Sequence, residues 1–237
     1  PMQLVWAQNV VEKTGGNVLI VAPLAVSKQT QREGVKFGID VFVCRKQDDV
    51  ESGINICNYE MLEHFEPSAF TGIVLDESSI LKSYTGKFRI KLIADFIDTP
   101  YKLACTATPA PNDFMELGNH SEFLNIMKRE QMLAMFFYND GSSTQKWHVK
   151  GHAESKYWEW VASWAAYIRK PSDIGYDDGD FILPELITRE IVVDAENPTP
   201  GMLFAVHAQT LQERIRARAG TVNARAEACA NIINNSK

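Results

Sequence analysis

The chain has 237 residues, room for one large domain or for one domain with an extension. Hydrophobic residues make up 45% and charged residues 23%, a globular balance that excludes wholesale disorder. With 24 Lys and Arg against 30 Asp and Glu the net charge is −6, which excludes a partner held by bulk positive charge but leaves room for a local basic groove. No apolar run approaches the roughly 18 residues of a membrane span, and the N-terminus lacks the charged-then-apolar layout of a secretion signal. Cys44, Cys57, Cys105 and Cys229 are scattered without C-x-x-C spacing, which reads as a reduced, cytosolic chain.

The run Leu4, Val5, Ala7, Gln8 and Val11 predicts a helix at the very start. A helix with no strand before it reads as a cut made inside a larger protein. Short apolar runs follow at Val18–Ala22, Val41–Cys44, Ile54–Cys57, Ile73–Leu75 and Leu103–Cys105. Each is too short for a buried helix and nearly continuous, as expected of parallel strands covered on both faces. Between them, Ala25 to Phe37 and Gly86 to Ile97 read as helices, the second with Phe88, Leu92, Ile93 and Phe96 on one side. Strands alternating with helices predict a doubly wound α/β sheet.

From about residue 112 the pattern turns helical: Phe114, Leu117, Phe123 and Leu124, then Met132 to Tyr138, then a polar break at Asn139 to Thr144. Ser155 to Ile168 sets Tyr157, Val161, Trp164, Ala165 and Ile168 on one helical face. An acidic irregular segment at 171–196 ends in a strand-like Ile187 to Val193, and the tail from 201 reads as one or two helices. The expected division is 1–135, 136–200 as a helical insertion and acidic linker, and 201–237 as the helical start of a further lobe.

The chemistry concentrates in Gly72-Ile73-Val74-Leu75-Asp76-Glu77-Ser78-Ser79. An apolar strand ending in adjacent carboxylates places them in the crevice where α/β ligands bind. There a first carboxylate holds the Mg²⁺ that bridges terminal phosphates, and a second polarises an attacking water. Taken alone, those residues read better as a strand ending in a solvated acidic turn. Three other strand-like runs also end in small polar groups: Thr106-Ala107-Thr108-Pro109, which begins 30 residues after Asp76; Pro23 with Ser27 and Lys28; and Asn58-Tyr59-Glu60.

Taken together, in this order and spacing, these boxes resemble helicase superfamily two, especially its Swi/Snf-type branch and the DEAD/DEAH-box relatives of phage and prophage type. Val18 to Leu24 is similar to motif Ia, Cys57-Asn58-Tyr59-Glu60 to motif Ib, Leu75-Asp76-Glu77-Ser78-Ser79 to the Walker B box, and Thr106-Ala107-Thr108-Pro109 to motif III. Asn112-Asp113 with Glu116-Leu117 and Phe123-Leu124 continues the likeness. The resemblance implies a RecA-like three-layer domain with a mainly parallel sheet, followed by a helical extension. It implies ATP and Mg²⁺ as cofactors, DNA as the nucleic-acid partner, and a bacterial or phage-infected cytoplasm. Asp76 would coordinate Mg²⁺ and Glu77 would be the catalytic base. Thr106 and Thr108 would couple nucleotide state to the strand-binding face. Pro23, Ser27, Lys28, Asn58 and Tyr59 would lie along one nucleic-acid strand. Ser78-Ser79 departs from the usual box, where Ala and then His or Asp stand.

No G-x-x-x-x-G-K-[ST] occurs in the sequence, so nothing in it can cradle β- and γ-phosphates, and the isolated chain is expected to show little or no ATPase activity. Arg214, Arg216 and Arg218 sit on a predicted helix and read as a solvated or strand-contacting face rather than an arginine finger. His148 and His152 lack a third ligand nearby, and Trp158, Trp160 and Trp164 read as core. Two other functions stay open. One is a non-catalytic RecA-like module that binds DNA or protein. The other is the motor subunit of a restriction-modification system with a methyltransferase or nuclease partner.

Overall fold

The computed structural model describes residues 1–82, 86–139, 141, 147–193 and 210–235. Five parallel strands centre the first of two units, residues 1–167. They are β1 (Val18–Ala22), β2 (Val41–Val43), β3 (Ile54–Asn58), β4 (Gly72–Asp76) and β5 (Tyr101–Cys105), in the spatial order β2-β3-β1-β4-β5. Central β1 is buried along its whole length, which is why its sequence is continuously apolar instead of alternating. The pleat still sorts side chains by parity. Val18, Ile20, Ala22, Ile54, Ile56 and Val74 face Leu4, Ala7 and Val10 of α1 (Met2–Thr14). Leu19, Val21, Cys57, Ile73 and Leu75 turn to the opposite core with Leu81, Leu92, Phe96 and Phe123. The expected doubly wound sheet is therefore the observed one.

Two connections position the site. After β1 the chain passes through α2 (Ser27–Phe37) to β2, and after β4 through α3 (Lys87–Asp95) to β5 on the other side. Neighbours β1 and β4 thus send the chain apart, the arrangement that in α/β sheets places ligands outside the carboxyl ends of the strands. Helix α2 lies tight on the sheet: a Cβ added at Gly34 would stand 2.5 Å from the Ile39 carbonyl oxygen and 2.9 Å from Val41 Cγ2. On α3 the expected apolar stripe is only partly realised. Leu92 and Phe96 are buried, but Phe88 is 42% exposed and Arg89 takes the inner position. Arg89 can go inside because Glu122 of α4 (Leu117–Phe123) meets its guanidinium.

A smaller core follows. Leu117, Met132, Leu133, Phe136, Phe137, Ala153 and Tyr157 pack together from α4, α5 (Arg129–Phe136), β6 (Phe137–Asn139), a turn at Gly151–Ala153 and α6 (Glu154–Ala162). The helix expected through Tyr138 ends at Phe136, because Phe137 to Asn139 pair antiparallel with β7 (Trp147–Val149). The helix expected through Ile168 ends at Ala162. There Ser163 folds back, its hydroxyl donating to the Trp160 carbonyl at 2.7 Å. Of the tryptophans expected in the core, Trp160 stacks on Phe136 against it and Trp164 lies edge-on to Trp160, but Trp158, edge-on to Phe114, stays 39% exposed.

The second unit, residues 168–237, contains short 3₁₀ turns at Pro171–Ile174 and Gly179–Phe181 and two helices, α7 (Leu211–Gly220) and α8 (Val222–Asn235). Ile187 to Val193 forms no strand, contrary to expectation: the residues are apolar enough, but no neighbouring strand pairs with them among the described residues. Arg214, Arg216 and Arg218 are exposed on α7. The last acids of the 171–196 segment, Asp194 and Glu196, lie outside the described residues. Among the described residues no helix is long and apolar enough to cross a membrane.

Candidate functional site

Parallel register brings the strand ends level. Ala22 lies opposite Asn58, Val21 opposite Leu75, and Asp76 opposite Cys105. Pro23, Asn58, Asp76, Glu77 and Thr106 therefore share the carboxyl edge, although they come from four separate stretches of sequence. Immediately after Asp76 the backbone turns sharply, with Glu77 at φ 54°, the left-handed region that non-glycine residues avoid. This turn swings the Glu77 side chain to Thr106, whose Oγ1 donates to Glu77 Oε1 at 3.0 Å. That hydroxyl has a fixed direction, because it also accepts from the Thr108 backbone N–H at 3.1 Å. The Thr108 side chain itself is exposed.

Asp76 is half-buried, and burial raises its carboxyl above the ordinary value. A hydrogen bond from the Gln3 side chain and one from the Glu77 backbone N–H pull it partly back, and the Glu77 charge adds to the rise. Tyr59 is buried and donates its hydroxyl hydrogen to the Asp76 carbonyl oxygen at 2.8 Å, tying the strand end down from the neighbouring loop. Cys105 is no nucleophile at neutral pH, since burial pushes its thiol up to about 11.

On the β1–β3 side, the Ser27 hydroxyl donates to Asn58 Oδ1 at 2.8 Å, and Ser27 is buried. The hydroxyl hydrogens of Ser27 and Tyr59 are thus engaged inside the protein, whereas Lys28 is exposed and Pro23 half-buried at the mouth of the edge. The turn after Thr106 is locked locally: Asn112 Nδ2 donates to Glu116 Oε1 at 2.8 Å, and Asp113 Oδ1 accepts from Met115 N at 2.9 Å.

Two contributors carry no sequence signal. Gln3, on the first turn of α1, reaches Asp76, and its Oε1 is buried without a hydrogen-bond partner among the described residues. His120 on α4 places Nε2 3.2 Å from Ser78 Oγ, and both residues are buried. A lone histidine and a lone glutamine in helices look like any others; only the fold shows what they face.

The donor set suits Mg²⁺. Its ligands are oxygens, and it includes one carboxylate whose ionisation burial opposes and a cation would favour, although no three His, Cys, Asp or Glu side chains gather into a metal cluster among the described residues. A concavity of about 540 Å³ lies elsewhere, between the Asn112–Phe114 turn and the hairpin residues Tyr138, Trp147 and His148, and none of the paired carboxylates or threonines lines it.

A parallel sheet in this order between two helical layers, with a carboxylate pair at the end of a central strand, defines a RecA-like α/β fold. No family model matches the chain, and no curated protein does. Among solved structures it is similar to the Sulfolobus solfataricus SWI2/SNF2 ATPase core in complex with dsDNA, with a TM-score of 0.48 and 20% identity over 57% of this chain and 31% of that one. The chain thus spans under a third of that neighbour's length, the 31% given above.

Proposed function

We propose that this chain is the carboxylate-bearing lobe of an ATP-driven motor that moves along nucleic acid, DNA being its track. The observation that carries the reading is the Thr106–Glu77 hydrogen bond beside Asp76, at the point where neighbouring strands send the chain apart. Bound Mg²⁺ would offset the charge of the terminal phosphates. Asp76 would hold it from a strand end tied down by the Tyr59 contact to its own carbonyl. Glu77 keeps Oε1 on Thr106, so Oε2 is left to take the proton of an attacking water. Any change that moves the Thr106 turn swings that carboxylate, which is a route for coupling chemistry to movement. Pro23, Lys28 and Asn58, at the same edge, would grip one strand of the track. The sequence contains no G-x-x-x-x-G-K-[ST], so the proposal needs a phosphate cradle from residues outside these 237.

The test is nucleotide binding and single-turnover hydrolysis by the protein expressed from its complete reading frame. Glu77→Gln should keep Mg²⁺-nucleotide affinity and lose roughly 10²-fold or more in turnover, since the amide cannot accept the proton. Asp76→Asn should weaken both. Near-wild-type turnover in Glu77→Gln would overturn the reading and leave a non-catalytic module.

A further inference from the structure

We propose that His120 is a positioning residue for the Asp76–Glu77 turn, acting through the hydroxyl of Ser78. The inference rests on the hydrolase reading for its consequence in catalysis, but the contact itself does not.

Glu77 holds a left-handed backbone that costs a residue with a Cβ about 1–2 kcal/mol, so the surrounding structure must over-determine it. The flanking anchors are on hand. On one side Tyr59 donates to the Asp76 carbonyl. On the other, the chain enters a short 3₁₀ turn, Ser78–Lys82, which α4 grips at both ends. Ser78 Oγ meets His120 Nε2 at 3.2 Å, and Asn119 Nδ2 donates to the Lys82 carbonyl at 3.1 Å. Ser78 is fully buried and His120 is 4% exposed, so neither side chain has water as an alternative partner.

The histidine is a poor core filler at this position. Its Nδ1 is buried without a hydrogen-bond partner among the described residues. The bond between His120 Nε2 and Ser78 Oγ runs in the direction the ring tautomer sets, one atom donating and the other accepting. Leucine would fill such a site without an under-satisfied nitrogen, so what the imidazole adds is the bond to Ser78. Helix α4 also belongs to two cores. Phe123 packs under the sheet, and Leu117 packs in the smaller helical core. A shift of that smaller core against the sheet therefore reaches the residue next to Glu77 through one hydrogen bond.

Four variants of the protein expressed from its complete reading frame decide it: Ser78→Ala, His120→Leu, their combination, and His120→Gln, whose amide can still pair with the Ser78 hydroxyl in either direction. Turnover and amide hydrogen exchange at Glu77 and Ser78 are read in each, beside melting temperature. The expected result is about a 10-fold fall in kcat for either single change, with KM for nucleotide unchanged. The double variant should be no worse than the worse single, exchange at the turn should quicken, and His120→Gln should restore both. A melting temperature that holds or rises in His120→Leu while kcat falls separates positioning from mere support. Unchanged exchange at Glu77 and Ser78, or losses in the double variant that add and follow melting temperature, would overturn the proposal. Glu77→Gln in the same assay keeps the two ideas apart. If it turns over normally, the hydrolase reading falls and the exchange data alone decide the role of His120.

Discussion

Thr106 Oγ1 stands 3.0 Å from Glu77 Oε1 as donor while accepting from Thr108 N at 3.1 Å, so one hydroxyl aims an exposed carboxylate. Thr106→Val keeps the shape and removes both bonds. Turnover should fall about 10-fold with nucleotide KM unchanged, because the proton acceptor loses its aim and not its binding partners. Melting should move by no more than about 2 °C, since an exposed hydrogen bond contributes little to stability. Thr106→Ser should behave as wild type, and a valine variant with full kcat would show that the bond does not serve the chemistry.

Glu77 combines a strained backbone with a functional side chain, and the two can be separated. Glycine occupies φ 54° without the Cβ clash, while alanine keeps the clash and removes only the carboxylate. Glu77→Gly should therefore be more stable than Glu77→Ala by about 1 kcal/mol in urea unfolding. Both should lose turnover alike. Equal stabilities would mean that the neighbouring anchors relax the turn once the carboxylate is gone.

Gly34→Ala sets helix propensity against packing. Alanine is worth about 1 kcal/mol over glycine inside a helix. Here the new Cβ would meet the Ile39 carbonyl oxygen at 2.5 Å, a backbone atom that cannot swing away. Overpacking of about 1–3 kcal/mol or more should win, so the variant is destabilised despite its better propensity. A raised melting temperature would show that α2 lifts off β2 freely.

Burial holds His120 below the ordinary histidine value of 6.5, and only the nearby Glu116 and its hydrogen-bond partners oppose this. Below about pH 6.5 the unfolded chain takes up a proton that folded His120 refuses. The unfolded state then binds more protons, so stability falls as pH falls through that value, and above it this group contributes no slope. Urea unfolding between pH 7.5 and 5.5 should show the decline, and His120→Gln should flatten it. An identical slope in the variant would assign the effect to other groups.

The amino-acid sequence determined where the five strands lie and which residues stand at their ends. A strand covered on both faces has to be apolar along its length, and the first polar residue after it has to emerge at the edge. That is enough to place Asp76, Thr106, Asn58 and Pro23 together. Only the tertiary structure decided which polar groups meet. Thr106 reaches Glu77 because β5 pairs with β4, and Ser78 reaches His120 because α4 returns beneath the same turn, contacts 29 and 42 residues apart along the chain. The same holds for the inward Arg89, which Glu122 faces, and for Ile187 to Val193, apolar enough for a strand but with nothing to pair against among the described residues. Apolar periodicity records which side of an element is dry. The identity of a distant hydrogen-bond partner leaves no periodic trace, because one bond sets no repeat.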